Sequence, residues 1–458
     1  MLNPDNFEKL IDGGFGHPGS TLAHSMTAFM GYVYVGTSSP STKSPENRAR
    51  ILRFDLAKED WATVWESPVF KMDDRIKARS TWLSTGGGGG RRRQEAESEK
   101  MGRDFGLRSM AVFQGTSDKT PCLYVGTMSI WGGMILRSED GLNFEPVASP
   151  GLGDDTVMSF RALTVLGDQI FVTPVGTITE DRIDRNLAPR ALIYVTKDPA
   201  SGNWSEANVP EFGDAANKGV FSMAAAHGFV YAGTGSPTRG FQLWRTDAKG
   251  KAPFSWERVL VDGAFRFNHS LSTGAMAEFN GDLYVGSGIP GFGVDIDNDV
   301  GPSAAELLRV RADKSWDLIM GEPRFSPEGL KVPFSAMGPG FDNPYNSVIW
   351  AMAVHKGTLY AGTHNWEPNA WAMERGSTAI KGGYELWASE DGDSWTKVMD
   401  QGGGNSMGCG VRTLLSTENG LFVGTLNHTK LITFQAKLRG SPDIVGDQPT
   451  GFDVWRGA

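Results

Sequence analysis

The chain has 458 residues, 40% of them apolar, and a formal net charge of -9. That acidic balance, with a pI near 5.4, argues against nonspecific binding to nucleic acid or to an anionic membrane. No apolar run approaches the roughly 20 residues of a bilayer span, and two cysteines, Cys122 and Cys409, make neither a disulfide scaffold nor a zinc site.

The opening Met1-Leu-Asn-Pro-Asp-Asn-Phe-Glu-Lys9 lacks the basic start and apolar stretch of a signal peptide. A cytoplasmic protein is expected, or a secreted one whose leader was removed. Residues 26–37 then introduce a phrase that returns along the whole chain: an apolar run, a tight turn with glycine, and an aromatic-apolar-Gly-Thr close. It recurs at 110–127, 223–234, 276–287, 351–363 and 414–425, with a looser copy at 163–177. A repeat of roughly 40 to 70 residues built from strand-like segments points to a propeller rather than a helical solenoid.

Each unit reads as four strands, a to d. Strand a starts the phrase and strand b ends it in Gly-Thr. Strand c is a second apolar run, as in Ile51-Leu-Arg-Phe54 and Tyr384-Glu-Leu-Trp387, and strand d opens on an aromatic: Trp61, Phe144, Trp204, Trp256, Trp316 or Trp395. At the C-terminus Gly451-Phe-Asp-Val-Trp-Arg456 matches strand c of the fourth unit, Gly240-Phe-Gln-Leu-Trp-Arg245. Asn6-Phe-Glu-Lys-Leu10 matches a strand d, Ser394-Trp-Thr-Lys-Val398. The expectation is an all-β fold: one seven-bladed β-propeller over 1–458, closed by its N-terminal segment as the outer strand of the last blade.

Ser138-Glu-Asp-Gly141 before Phe144 and Ser389-Glu-Asp-Gly392 before Trp395 carry a further signature between strands c and d. These turns resemble the Asp-box of sialidase-like propellers. The resemblance implies architecture and assigns no catalytic residue.

Loop lengths sort the two faces. The a-b turns are minimal, while the b-c and d-a segments are long and are expected to carry function. An insertion near 69–106, with five glycines at 86–90, Arg91-Arg-Arg93 and mixed charge, reads as a solvated flap rather than a phosphate loop, because it lacks the Gly-Lys-Ser/Thr close.

Aligning the residue just before strand a gives His24, Arg108, Arg161, Phe221, Gly274, Trp350 and Arg412, expected at the mouth of the central channel. Three arginines there suit a carboxylate, sulfate or phosphate through forked hydrogen bonds. The alternative is local pairing, of Arg108 with Asp104 and of Arg161 with Asp154 or Asp155. His24, His269, His364 and His428 share the long-loop face, where imidazoles beside a held carboxylate suit proton transfer. Tyr345 is a candidate partner acid or base, and bracing of irregular loops is the alternative for each. Asp295, Asp297 and Asp299 with Glu306 have the 1-3-5-12 spacing of a calcium loop, although Val300 stands where that loop needs glycine. Calcium is therefore the one cofactor considered, against an acidic solvated loop.

The functional expectation is an enzyme of lyase or hydrolase type. Arg108, Arg161 and Arg412 would hold an anionic small molecule or sugar acid, with His428 beside it. His24, His364, Tyr345 or His269 would move the proton. The competing expectation is a noncatalytic module that binds a glycan or protein through Trp131, Trp350, Trp366 and Trp371. A monomer is expected.

Overall fold

The computed structural model describes residues 1–39, 44–83, 98–179, 183–188 and 190–458. Consecutive strands pair antiparallel in sets of four with the residue boundaries that the repeat implies, and the fold is an all-β propeller. In one set Asn346–His355 pairs with Thr358–Asn365, then with Leu386–Ser389, and last with Thr396–Met399. The chain divides into two compact units, residues 24–261 and residues 1–23 with 262–458.

The glycine of the repeated phrase marks the contact between successive sets of strands. A Cβ added to Gly36, Gly126, Gly286 or Gly362 would come within 3.0 Å of the Cβ of Leu107, Phe160, Ile349 or Val411 respectively, each on the following strand a. The buried side chain of one set thus rests on bare backbone of the set before it. Any larger residue would push the two apart.

Further packing reinforces the sets. A turn of left-handed backbone precedes several inner strands, at Gly151 and Leu152 (φ 60° and 59°), Glu211 and Phe212 (54° and 55°), and Gly402 and Gly403 (64° and 66°). The same kind of turn at Phe341 has φ 59°. Phe212 stacks on Trp244 of its strand c with ring centres 5.0 Å apart, and Phe341 stacks on Trp387 at 4.6 Å. Burial of that aromatic area is available to offset the strain of the turn.

Both Ser-Glu-Asp-Gly segments form side-chain-capped turns. Asp140 Oδ1 accepts the backbone N–H of Leu142 and Asn143, each at 2.8 Å, and Ser138 Oγ accepts that of Gly141. The N–H donors of Asn143 and Leu142 hold the Asp140 carboxyl well below its ordinary value. Gly141 has φ 71° and Gly392 has φ 83°; a Cβ on either would collide with the hydroxyl of Tyr34 or Tyr284 in the preceding set. Glycine is required there by conformation and by contact alike.

The expected closure is present. Phe7–Ile11 runs antiparallel to Val454–Gly457, with Phe7 opposite Gly457 and Lys9 opposite Trp455. Leu2 and Phe7 pack on a cluster containing Tyr360, Tyr384, Leu386 and Val423. The backbone N–H of Leu2 also donates to the Tyr360 hydroxyl at 2.9 Å.

Within the insertion near 69–106, the strands Val69–Lys71 and Lys100–Gly102 pair, and a helix spans Asp74–Leu83. The glycine run at 86–90 and Arg91, Arg92 and Arg93 lie outside the described residues.

Substituting Gly362 by alanine tests the packing rule. The added methyl meets the Val411 side chain, and overpacking of this kind costs about 1 to 3 kcal/mol. Chemical denaturation should show that loss, and an unchanged midpoint would refute the contact.

Candidate functional site

Six of the seven residues aligned at the start of strand a share a feature that their spacing does not reveal: they sit in β-bulges. Leu107 faces Thr127 and Ser109 faces Gly126, so Arg108 is left out of the ladder. Trp350 is skipped between Ile349 and Ala351, and Arg412 between Val411 and Thr413. Phe221, Arg161 and Gly274 lie in the same kind of register shift. A bulged residue has no ladder partner and the local twist increases, which aims its side chain differently from its neighbours.

In unit 24–261 the bulges bring two guanidiniums to one amide. Arg108 Nη2 donates to Asn186 Oδ1 at 2.8 Å, and Arg161 Nη1 donates to the same oxygen at 3.1 Å. Arg108 also donates to Ser159 Oγ and to the Arg185 carbonyl, while Arg161 donates to the Phe221 carbonyl and lies 4.5 Å over the Phe221 ring. The local pairings considered for them do not form. Asp104 bonds Arg103 and Ser67, and Asp155 pairs with Arg75 and Arg79. His24 is buried on its strand, and Trp131 is half-buried beside Phe70.

In unit 1–23 with 262–458 a larger group assembles. Arg412 lies 5.1 Å over the ring of Trp350, and Trp350 meets His364 edge-on at 4.9 Å. The His364 ring is in turn 5.8 Å from that of His428. Gly410 makes this approach possible, because a Cβ there would strike the Trp350 ring at 2.7 Å. Tyr345 stands edge-on to Trp366 at 4.9 Å, and the Phe292 ring lies 6.3 Å from that of Trp366.

The two histidines differ in what they can do. His364 is 3% exposed, and its Nδ1 lies 3.0 Å from Ser347 Oγ, which donates to the Gly291 carbonyl. Burial first, and then the neighbouring His428, push its pKa down to about 3. His428 is half-buried, and its Nδ1 lies 3.4 Å from Asn369 Oδ1. Asn369 donates through Nδ2 to Gln435 Oε1 at 2.8 Å, so its oxygen faces the ring. That orientation makes Nδ1 the donor and leaves the lone pair on Nε2. Burial lowers the His428 pKa to about 4 and that of Arg412 to about 10. Among the described residues no carboxylate lies within ion-pair distance of Arg412.

Other expected residues lie apart from this group. His269 is exposed, with Nδ1 2.7 Å from Ser303 Oγ, beside a cleft of about 400 Å³ that Arg266 and Glu322 also line. The four proposed calcium ligands are not gathered. Glu306 is buried and ion-paired to Arg324 at 2.9 Å and Arg266 at 3.4 Å. Asp295 accepts the side-chain amide of Asn298, and Asp297 and Asp299 are exposed. Among the described residues no group of three or more acidic, histidine or cysteine side chains is arranged to hold a metal ion. The spacing fails because strand c, which begins right after Glu306, directs that carboxylate to two arginines. The sequence reading also missed Asn369 and Gln435; the helices Glu367–Met373 and Thr429–Leu438 that carry them lie in long loops with no repeat to mark them.

Several solved structures resemble the chain at low identity. A GH74 xyloglucanase from Xanthomonas campestris is 15% identical, covering 92% of this chain and 53% of that one, with a TM-score of 0.45. The chain therefore spans about half the length of that protein. Polysaccharide lyase Uly1 is 12% identical over 94% of this chain and 88% of that one, at 0.48, and the Dos1 propeller is 10% identical over 99% and 95%, also at 0.48. No protein-family model and no curated protein matches the sequence.

The neutral His364 predicts a pH dependence. The folded state keeps the ring unprotonated down to about pH 3, whereas the unfolded chain takes up a proton below about 6.5. The unfolded state then binds more protons, so this contribution to stability is present above pH 6.5 and is lost as the pH falls. The stability difference between wild type and His364→Asn should narrow by about 2 kcal/mol from pH 7 to pH 5. Denaturation at the two pH values measures it, and a constant difference would contradict the assignment.

Proposed function

We propose that this seven-bladed propeller, its two capped turns read as Asp-boxes, is an enzyme of lyase or hydrolase type. It binds a small anionic ligand of sugar-acid class at the Arg412, Trp350 and His428 group. The observation that carries the reading is Arg412: a half-buried guanidinium with no carboxylate in reach among the described residues, set on an aromatic ring by a bulge. Burying a charge without a partner is costly, and an incoming carboxylate or sulfate supplies the partner as a forked pair. The helix-borne Asn369 orients His428 so that Nε2 carries the free lone pair. A bound anion beside the ring raises its basicity from the low value of the empty site toward neutrality. Proton abstraction next to a held carboxylate then falls to His428 Nε2, with Tyr345 as the partner acid. His364 braces the group through Ser347 rather than exchanging protons with a ligand. Arg108 and Arg161 remain candidates for anion binding in their own unit, together with His24, and Trp131 remains a candidate contact there.

The second reading is a noncatalytic glycan- or protein-binding module. The grouping of Trp366 with Tyr345 and Phe292 favours it, because a neutral sugar stacks on such surfaces.

Calorimetry with galacturonate, glucuronate, a sulfated sugar and a neutral sugar separates the two readings. Arg412→Ala should weaken the preferred anion by about 1.5 to 3 kcal/mol, roughly ten- to a hundredfold, and leave a neutral sugar unaffected. His428→Asn should keep the anion bound and abolish its turnover. If no anion binds wild type, or if neutral sugars bind both proteins equally, the binding-module reading takes over.

A further inference from the structure

Apart from the Arg412 group, a nucleophile and a base already touch. The cleft of about 400 Å³ beside His269 is also lined by Ser303, Arg266, Glu322 and Asp342. Its size falls within the range of small-ligand sites, roughly 300 to 1,000 Å³. Ser303 Oγ lies 2.7 Å from His269 Nδ1, and among the described residues neither atom has another hydrogen-bond partner. The two come from separate parts of the chain: His269 from the short helical turn Phe267–Ser270, and Ser303 from the loop before the strand Leu307–Val310. The serine is 4% exposed and is fixed from both sides. Its N–H donates to the Gly293 carbonyl at 2.8 Å, and the carbonyl of the next residue, Ala304, accepts from Arg266 Nη1 at 2.6 Å. Glycine is needed at 293 for that approach, because a Cβ there would lie 2.7 Å from the Ser303 carbonyl oxygen. A serine held against an imidazole at the wall of a cleft is the arrangement that activates a hydroxyl for attack.

We infer that Ser303 and His269 form a catalytic site of their own, an acyl-transfer dyad that hydrolyses a small carboxylic ester carrying no negative charge. For Ser303 to donate to Nδ1, the ring carries its hydrogen on Nε2. Nδ1 takes the hydroxyl proton as Oγ bonds to the ester carbon, and passes it to the departing alkoxide as the carbon–oxygen bond to the alcohol breaks. Water then attacks the acyl-serine and gives a proton to Nδ1, which returns it to Oγ as the acid leaves. Glu322 and Asp342 on the cleft lining favour the imidazolium formed in each step, and Arg266, the one guanidinium there, favours the developing oxyanion. One arginine against two carboxylates leaves that lining net negative with His269 neutral, so an anionic ester is repelled. The anion-binding reading of Arg412 is independent of this dyad.

Treating the full chain with a fluorophosphonate probe and mapping the adduct by peptide mass spectrometry tests the nucleophile without any substitution. The adduct should fall on Ser303. Hydrolysis of 4-nitrophenyl acetate should drop by about a hundredfold or more in Ser303→Ala and in His269→Gln. Because His269 is exposed, His269→Gln should keep the wild-type melting temperature, which separates lost chemistry from lost fold. The anionic 4-nitrophenyl succinate should be the slower substrate. An unlabelled Ser303 in wild type, or ester hydrolysis that survives Ser303→Ala, would overturn the dyad, and faster turnover of the succinate ester would overturn the charge assigned to its substrate.

Discussion

The contact of a bare glycine on one strand b with a buried side chain on the next strand a is what the rest of the structure depends on. It explains the glycine near the end of the phrase, and it ties packing to the proposed site. Leu107, Phe160, Ile349 and Val411 fill the space above Gly36, Gly126, Gly286 and Gly362. The residue directly after each of them is the bulged one: Arg108, Arg161, Trp350 and Arg412. The packed side chain anchors the strand, and the next residue is freed from the ladder; under the proposed function, Arg412 is the one that meets a ligand. Packing and the proposed site are therefore one strand step apart, so the bulged residue can vary while the frame stays constant.

Electrostatics shape the group around Arg412. A partly buried cation over Trp350, two imidazoles held neutral by burial, and a hydroxyl and an amide that fix their orientation give the group a net positive charge. Arginines on strand c are matched, as Arg137 is by Asp118 and Arg309 by Asp317 and Asp393. Those pairs hold strands together. Among the described residues Arg412 has an aromatic face and no carboxylate partner, and that difference is what singles it out in the proposed function.

Much of the fold was legible because repetition makes strand positions visible seven times over, and the closure by residues 7–11 followed from one mismatch of phase at the C-terminus. The bulged positions were found by alignment, although the bulge itself left no sequence trace. Other features were hidden for physical reasons. Pro-Glu-Phe-Gly at 210–213 and Pro-Gly-Phe-Asp at 339–342 look like ordinary turns, and only the stacking of Phe212 and Phe341 on tryptophan reveals that they are left-handed and packed. Proximity in sequence misled for Asp104 and Asp155, whose carboxylates serve other arginines, and for Glu306, which a strand draws away from the aspartates nearby. Asn369 and Gln435 come from non-repeating loops, where no periodicity predicts what they face.

A crystal structure of the protein soaked with a galacturonate bears most directly on the claim that a bulged arginine forms the centre of the site. The predicted result is a carboxylate within hydrogen-bond distance of the Arg412 guanidinium, with the sugar ring facing His428 Nε2. A carboxylate held elsewhere, with Arg412 untouched over Trp350, would contradict it.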